Sequence, residues 1–301
     1  MTEQTQYSAG AAYLHGEVVP IADARIPLLD TGFLRSDLTY DVVHVWKGCF
    51  FRLEEHLDRF ERSVGRLRLK LPTDRDGLRQ VLFDLVKRSG LRDAYVNMTL
   101  TRGVANAGQR DPRLFENRLY AYVVPFVWIV SPEDQDRGIS LIVSSIQRIP
   151  TQSVDPTVKN FHWGDLVRGQ YEAFDRAART AVLLDANGNV TEGPGFNVFA
   201  LVHGTLLTPE AGVLEGVTRR TVLELAQQHD QPVQACAVPA TVLMTAHEVF
   251  LTSTAGGVMP VISVDGRQIG DGRPGMVTRR LRELYWAAHD DASYATRVDY
   301  D

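Results

Sequence analysis

Lysine occurs at only four positions of the 301-residue chain, 47, 70, 87 and 159, among 32 lysines and arginines. The distinction is chemical: arginine stays protonated, whereas a partly desolvated lysine amine can lose its proton, attack a carbonyl and form a Schiff base. Of the four, Lys159 has the most unusual surroundings, within Val154-Asp155-Pro156-Thr157-Val158-Lys159-Asn160-Phe161-His162-Trp163-Gly164-Asp165. No other lysine or arginine lies between Arg148 and Arg168, and Val158, Phe161 and Trp163 flank the amine. Two readings are open: a lysine on a surface loop, or a covalent nucleophile in a partly apolar pocket.

Three further features supply what a lysine-bound cofactor needs. In Thr191-Glu192-Gly193-Pro194-Gly195-Phe196-Asn197 a carboxylate stands beside two glycines that allow close backbone approach. Glu192 is either a turn residue or the partner of a protonated ring nitrogen, an interaction that keeps a pyridine ring an electron sink. In Leu214-Glu215-Gly216-Val217-Thr218-Arg219-Arg220 a glycine precedes a helix start, and such a start offers free amides and a positive dipole end to a phosphate, with the Thr218 hydroxyl as an added donor. An ordinary capped helix is the plainer alternative. Ser253-Thr254-Ala255-Gly256-Gly257 is a turn of small and hydroxyl residues suited to an oxyanion. Arg59, off the apolar stripe of its helix, is either solvated or the last member of a phosphate cup. Lysine, acid and phosphate cup together describe pyridoxal phosphate.

The elements that must position these groups can be read from periodicity. A hairpin is predicted around His15-Gly16-Glu17, then a turn at Asp30-Thr31-Gly32. Alternation over 38–46 predicts a strand with Leu38, Tyr40, Val42, His44 and Trp46 on one face and Thr39, Asp41, Val43 and Val45 on the other. Leu53, Leu57, Phe60, Val64, Leu67 and Leu71 recur at helical spacing. A second helix follows over 74–89, then strands at 94–102 and 118–127 around a long polar loop at 103–117. Beyond a composition shift at 131–137, read as an interdomain linker, a strand at 139–145 leads into the Lys159 loop and a helix over 164–179. Strands at 181–185, 197–202 and 248–253, turns at Asn187-Gly188, His203-Gly204 and Asp265-Gly266, a helix from Val217 or Thr218 and a closing helix with Leu281, Leu284 and Tyr285 complete the chain. Strands and helices mixed in both halves indicate an α+β protein, with domains at 1–130 and 138–301.

The totals exclude several classes. A 44% hydrophobic, 23% charged composition is that of a folded globular protein. The net charge of -5 removes the electrostatic case for a nucleic-acid partner. Cys49 and Cys236 make neither a disulfide framework nor a metal motif, so no metal and a reducing, cytoplasmic setting are expected. The start is polar, with no signal segment, and the longest apolar stretch, 119–130, is interrupted by Pro125, so no membrane association is expected.

The order of Arg59 in His-Leu-Asp-Arg, Lys159 in Val-Lys-Asn, Glu192 in Thr-Glu-Gly-x-Gly-Phe-Asn, Gly-Val-Thr-Arg at 216–219 and Thr-Ala-Gly-Gly at 254–257 resembles the fold-type IV pyridoxal-phosphate aminotransferases, from Ala12 to Asp299. This class includes the branched-chain and D-amino-acid enzymes. Asp30-Thr31-Gly32-Phe33, Ser36-Asp37-Leu38-Thr39-Tyr40, Val45-Trp46, Asp155-Pro156-Thr157-Val158-Lys159-Asn160 and Trp163-Gly164-Asp165 are similar to its (R)-selective amine transaminases.

The resemblance implies a smaller N-terminal α/β domain, a larger C-terminal domain with a β-barrel-like core, and a homodimer with the active site between the domains and near the dimer interface. It implies pyridoxal 5'-phosphate as cofactor and Lys159 as the Schiff-base lysine and proton carrier. Glu192 becomes the partner of the ring nitrogen, and Arg59, Val217, Thr218 and Thr254 form the phosphate cup. Tyr40, Val42, His44, Trp163 and Ala255 line the substrate pocket.

Two departures stand out. Pro194 replaces a frequent serine, and Gly108 falls where related amine transaminases bind the keto-acid carboxylate with an arginine, leaving Arg110, two residues on, to serve. The expected reaction is ping-pong transfer of an amino group from a primary (R)-amine to a keto acid such as pyruvate. The alternatives are D-amino-acid or branched-chain transamination, an aminodeoxychorismate-lyase-like elimination, and a non-catalytic cofactor-binding protein on the same fold.

Overall fold

The computed structural model describes residues 6–105 and 108–301; the first five residues of the polar start and positions 106–107 of the loop expected at 103–117 lie outside the described residues. The chain forms two compact units. The first takes residues up to Val127, Val158–Phe161 and His289–Asp301, and the second takes Trp128–Thr157 and His162–Ala288.

In the first unit β1 (Ala11–Leu14) and β2 (Glu17–Pro20) form the expected hairpin. Its central residues His15 and Gly16 have φ of 54° and 89°, the positive values that match a hairpin turn to strand twist. The turn expected at 30–32 proves to be the start of a short helix, α1 (Thr31–Arg35), because the Asp30 carboxylate accepts from Gly32 N at 2.8 Å and caps it. Asp30 is fully buried and also accepts from the hydroxyls of Thr101 (3.0 Å) and Tyr120 (2.8 Å). Strand β3 (Leu38–Trp46) pairs with β4 (Cys49–Phe51), and α2 (Leu53–Arg66) follows. The apolar stripe read as running to Leu71 leaves the helix earlier: Arg68 takes a φ of 53°, which turns the chain while Leu69 stays in the core.

Helix α3 (Arg75–Ser89) is capped by Asp74, which accepts from Gly77 N, and ends at Gly90 with φ of 67°. With β5 (Ala94–Val104), β6 (Glu116–Pro125) and the terminal strand Ala295–Arg297, the sheet runs terminal strand, β4, β3, β5, β6, β1, β2. Every pairing in it is antiparallel. Val43 and Val45, on the face of β3 read as opposite to Tyr40, pack with Leu57 and Phe60 of α2 and Leu82 and Leu85 of α3.

The second unit begins with α4 (Pro132–Arg137), capped by the Ser131 hydroxyl on Asp134 N, so the segment read as a linker carries a helix. There follow β7 (Ile139–Gln147), α5 (Gly164–Asp175), β8 (Thr180–Leu184), β9 (Asn197–Val202), β10 (Thr205–Pro209) and α6 (Val217–Gln228). The rest is β11 (Val233–Cys236), α7 (Ala240–Thr245), β12 (Glu248–Ser253), β13 (Gly257–Val264), β14 (Arg267–Gln268) and α8 (Met276–Ala287). The sheet order is β11, β10, β9, β12, β13, β7, β8, with β14 as a spur on β13. It is mixed: β7 lies parallel to β8 and β13, while β9, β12 and β13 are antiparallel neighbours. A parallel pair needs a crossover, and the crossover from β7 to β8 is the segment that carries Lys159.

The α+β architecture is therefore as expected. Leu57 is fully buried between the first sheet and its helices; Leu57→Ala is expected to cost about 2–5 kcal/mol in denaturant unfolding. Leu114→Ala, at a residue 62% exposed, is expected to stay within about 0.5 kcal/mol of the parent.

Candidate active site

The residues singled out by their chemistry fall into two sets, one in each unit. In the first unit the backbone of Lys159 is fixed to β3. Its carbonyl accepts from the Thr39 hydroxyl at 2.7 Å and from Tyr40 N at 3.1 Å. The side chain is half-buried and its Nζ lies 4.5 Å from the centre of the Tyr40 ring, a distance at which the ring face attracts a cation. Tyr40 packs with Leu38, Val42 and Tyr95, and its ring meets that of Phe161 at 4.6 Å. The strand face expected to wall a pocket is thus apolar and aromatic next to the amine.

His44, further along that face, is 1% exposed, and its Nε2 lies 2.7 Å from Nε2 of His289. The two imidazoles lie within 25° of one plane, and the Phe51 ring stacks against both, 3.8 Å from His289 and 5.5 Å from His44. At that separation one imidazole must present a lone pair to the other's N–H.

Arg59 is buried, and its guanidinium grips Asp41 with two bonds, Nε to Oδ2 at 2.7 Å and Nη2 to Oδ1 at 2.8 Å. Because a carboxylate only accepts, His56 must donate from Nδ1 to Asp41 Oδ1, at 2.8 Å. Burial by itself would raise the Asp41 pKa, but the charge and hydrogen bonds of Arg59, helped by His56, hold it well below the usual carboxylate range. Burial lowers the His56 pKa. Arg110 is exposed on its loop. Arg102 is instead a fastener, donating to both oxygens of Asp37 and to the carbonyls of Leu67 and Arg68.

In the second unit Glu192 and Asn197 together clasp Leu214. Glu192 Oε2 accepts from Leu214 N at 2.9 Å, and Asn197 Nδ2 donates to Leu214 O at 2.9 Å. The acid motif therefore holds the loop that feeds α6. Gly216 occupies the N-cap of α6, where a Cβ would stand 2.1 Å from Asn197 Oδ1. No side chain among the described residues caps this helix, which leaves the first-turn amides of Val217 and Thr218 to an outside acceptor.

The buried Thr218 hydroxyl is 3.5 Å from the Tyr285 hydroxyl, a long contact. Thr254 is half-buried, and the carbonyl of the buried Ala255 accepts from Ile129 N at 2.8 Å. Pro194 and Gly195, the latter with φ of 82°, occupy the central positions of a turn closed between Gly193 and Phe196. Proline first and glycine second is the pairing a type II turn prefers. Trp163 precedes α5, and a Cβ on Gly195 would lie 3.6 Å from its indole. Amides at an uncapped helix start, two threonine hydroxyls and a held carboxylate are the donor and acceptor set that a phosphorylated pyridine requires, and in that respect the residues fit pyridoxal phosphate.

Residues 38–264 match the family described as Amino-transferase class IV, and the chain belongs to that family: it is an aminotransferase. A Methanocaldococcus jannaschii protein, provisionally named a branched-chain-amino-acid aminotransferase, is 31% identical over 277 residues, covering 91% of this chain and 94% of its own. The branched-chain-amino-acid aminotransferase of Salmonella typhimurium is 28% identical, covering 94% of each chain. Among solved structures, the branched-chain amino acid aminotransferase of Thermobaculum terrenum, in its PLP-bound holo-form, is similar with a TM-score of 0.87 at 26% identity, over 98% of this chain and 99% of that one.

Sequence reasoning passed over Asp41, Arg148, Asp165 and Asn197 as functional residues. Asn197 was visible in the acid motif, but its role depends on a loop 17 residues away. Arg148 carried no local signal.

Two outcomes are expected. Gly216→Ala drives a methyl group into Asn197 and displaces the helix start, so the dissociation constant for pyridoxal 5'-phosphate, read by fluorescence titration, should rise about tenfold, the worth of one hydrogen bond to a charged group. Stability should also fall on acidification. The unfolded chain takes up protons on His56 from about pH 6.5 and on Asp41 from about pH 4 downward, before the folded chain does. The stability due to Asp41 is therefore complete above pH about 4 and lost below it, and Asp41→Asn should flatten that part of a melting-temperature profile.

Proposed function

We propose that the protein transfers the amino group of a branched-chain α-amino acid to a keto acid, using pyridoxal 5'-phosphate, in two half-reactions. The observation that carries this reading is the position of the Lys159 amine over Tyr40, at the edge of an apolar cluster with Leu38 and Val42. Such a surface receives a hydrocarbon side chain and offers no partner to a carboxylate. The names of the relatives support the same substrate class.

When bound, the cofactor supplies an aldehyde that condenses with amines and a ring that accepts the electron pair left by a departing α-proton. The chain supplies the rest. Lys159 Nζ is the amine that anchors the cofactor and, once released, carries a proton. The hydrogen bonds from Thr39 and Tyr40 to the Lys159 carbonyl fix the backbone from which that amine swings. Glu192 accepts a hydrogen bond from the protonated ring nitrogen. The amides of Val217 and Thr218, the Thr218 and Thr254 hydroxyls and Arg59 bind the phosphate. Tyr40, Val42, His44, Trp163 and Ala255 bound the substrate, and Arg110 takes the keto-acid carboxylate.

A second reading, an (R)-amine donor with pyruvate as acceptor, is favoured by Trp163 beside Gly195 and by the Trp163-Gly164-Asp165 motif. A homodimer fits both readings, since Val167, Tyr171 and Phe174 expose one apolar stripe of α5 that a second copy would cover. The cytoplasm is the proposed location, where Cys49 and Cys236, both free, remain reduced.

A donor panel decides between the readings. L-leucine, L-isoleucine and L-valine should give a kcat/KM at least about tenfold above that of (R)-1-phenylethylamine, a difference of about 1.4 kcal/mol in transition-state binding. The reverse order would replace the first reading with the second. Lys159→Ala should abolish turnover with every donor.

A further inference from the structure

Arg148 lies just beyond β7, and its buried side chain stands between the buried carboxylate of Glu192 and the partly buried one of Asp165. Nη2 donates to Glu192 Oε1 at 3.0 Å and Nη1 donates to Asp165 Oδ2 at 2.7 Å. Asp165, in the first turn of α5, also accepts from Ile149 N at 2.7 Å through the same oxygen and from Leu166 N at 2.8 Å through the other. The backbone of Arg148 is fixed as well, its N–H bonding to Leu184 O at 2.9 Å.

We infer that Arg148 is a positioning residue for Glu192, and that Asp165 both anchors Arg148 and restores the negative charge that Arg148 would otherwise cancel. The inference rests on the reading of Glu192 as the partner of the cofactor's ring nitrogen.

Three observations carry it. First, the Glu192 carboxylate is held at both oxygens, Oε1 by Arg148 and Oε2 by Leu214 N. It cannot rotate, and its remaining lone pairs have a fixed direction. Secondly, the charges are matched to a cationic partner. Arginine and one glutamate alone would be neutral and would offer no net attraction to a protonated nitrogen; with Asp165 the set carries one net negative charge, which such a nitrogen neutralises. Burial works against the charged guanidinium of Arg148, but Glu192 and Asp165 outweigh it and raise its pKa, so the positive member of the set is permanent. Thirdly, Arg148 Nε is buried and has no hydrogen-bond partner among the described residues. Such a triad is a poor device for stability, since buried ion pairs are commonly no better than apolar side chains. Its geometry is explained by what it does to Glu192. The same geometry gives the Trp163-Gly164-Asp165 motif a second function, at the ring nitrogen rather than at the substrate.

The test uses the holoenzyme and the variants Glu192→Gln, Arg148→Gln, Asp165→Asn and Arg148→Gln/Glu192→Gln. Binding of pyridoxal 5'-phosphate is titrated, and the nitrogen-15 shift of ring-labelled cofactor is followed against pH. Arg148→Gln should weaken cofactor binding about tenfold, as losses of partners behind a ligating group commonly do. The double variant should be no weaker than Glu192→Gln alone, because both changes act through one carboxylate. Asp165→Asn should move the ring-nitrogen titration to lower pH, as Glu192→Gln does, a change that a merely structural aspartate would not produce.

If Glu192→Gln shifts the titration while Arg148→Gln binds as the parent does and Asp165→Asn leaves the titration in place, the inference falls and the reading of Glu192 stands. If Glu192→Gln itself changes neither measurement, the reading falls and takes the inference with it. Should Arg148→Gln not fold, Asp165→Asn decides alone: a shifted titration upholds the inference and an unshifted one overturns it.

Discussion

Two parallel neighbouring strands cannot be joined by a tight turn, and much of this protein follows from how the chain solves that problem between β7 and β8. The crossover includes α5, which returns the chain to the second sheet, but before that helix it contributes Val158–Phe161 to the first unit. There the Lys159 carbonyl accepts two hydrogen bonds from β3. The loop is thereby anchored to β3 at Lys159. The neighbouring amine is left half-buried over an aromatic ring, where its hydration is reduced and its reach is short.

Each unit also orders a charged side chain with a buried partner of opposite charge, itself held by a third group. In the first, Asp41 and His56 hold Arg59 on the inner face of β3. In the second, Asp165 and Arg148 hold Glu192. Neither arrangement is an efficient way to stabilise a core, since desolvating three polar groups costs about as much as their attraction returns. Both fix the direction of a group that would otherwise have several rotamers, which is what a site acting on a small, highly charged ligand needs. The motifs are likewise bound to one another: the acid motif at 191–197 holds Leu214, and Leu214 leads into the glycine and uncapped helix start at 216–218. A change in one is felt by the other.

The glycines in these motifs have distinct physical causes. Gly216 is required by contact, because a Cβ would collide with Asn197. Gly195 is required by conformation, its positive φ closing the turn that Pro194 opens. The proline that departs from the frequent serine is thus accounted for by turn chemistry rather than by the loss of a donor.

By itself the sequence determined the elements with strong local periodicity and the residue types that can do chemistry. Strand β3 follows from alternation, α2 from its apolar stripe, the end of β9 from the His203-Gly204 turn, and Lys159 from its isolation among arginines, because these signals lie within one strand, one helix or one motif. Tertiary structure decided which groups meet. That Arg59 faces Asp41, that Arg148 faces Glu192 across 44 residues, and that the stripe through Leu71 breaks at Arg68 depend on contacts between distant segments and on backbone conformations that no local pattern encodes. The short helices α1 and α7 were illegible for the same reason: a single turn has too few residues to show a period, and it forms only because a buried cap or a packed core holds it in place.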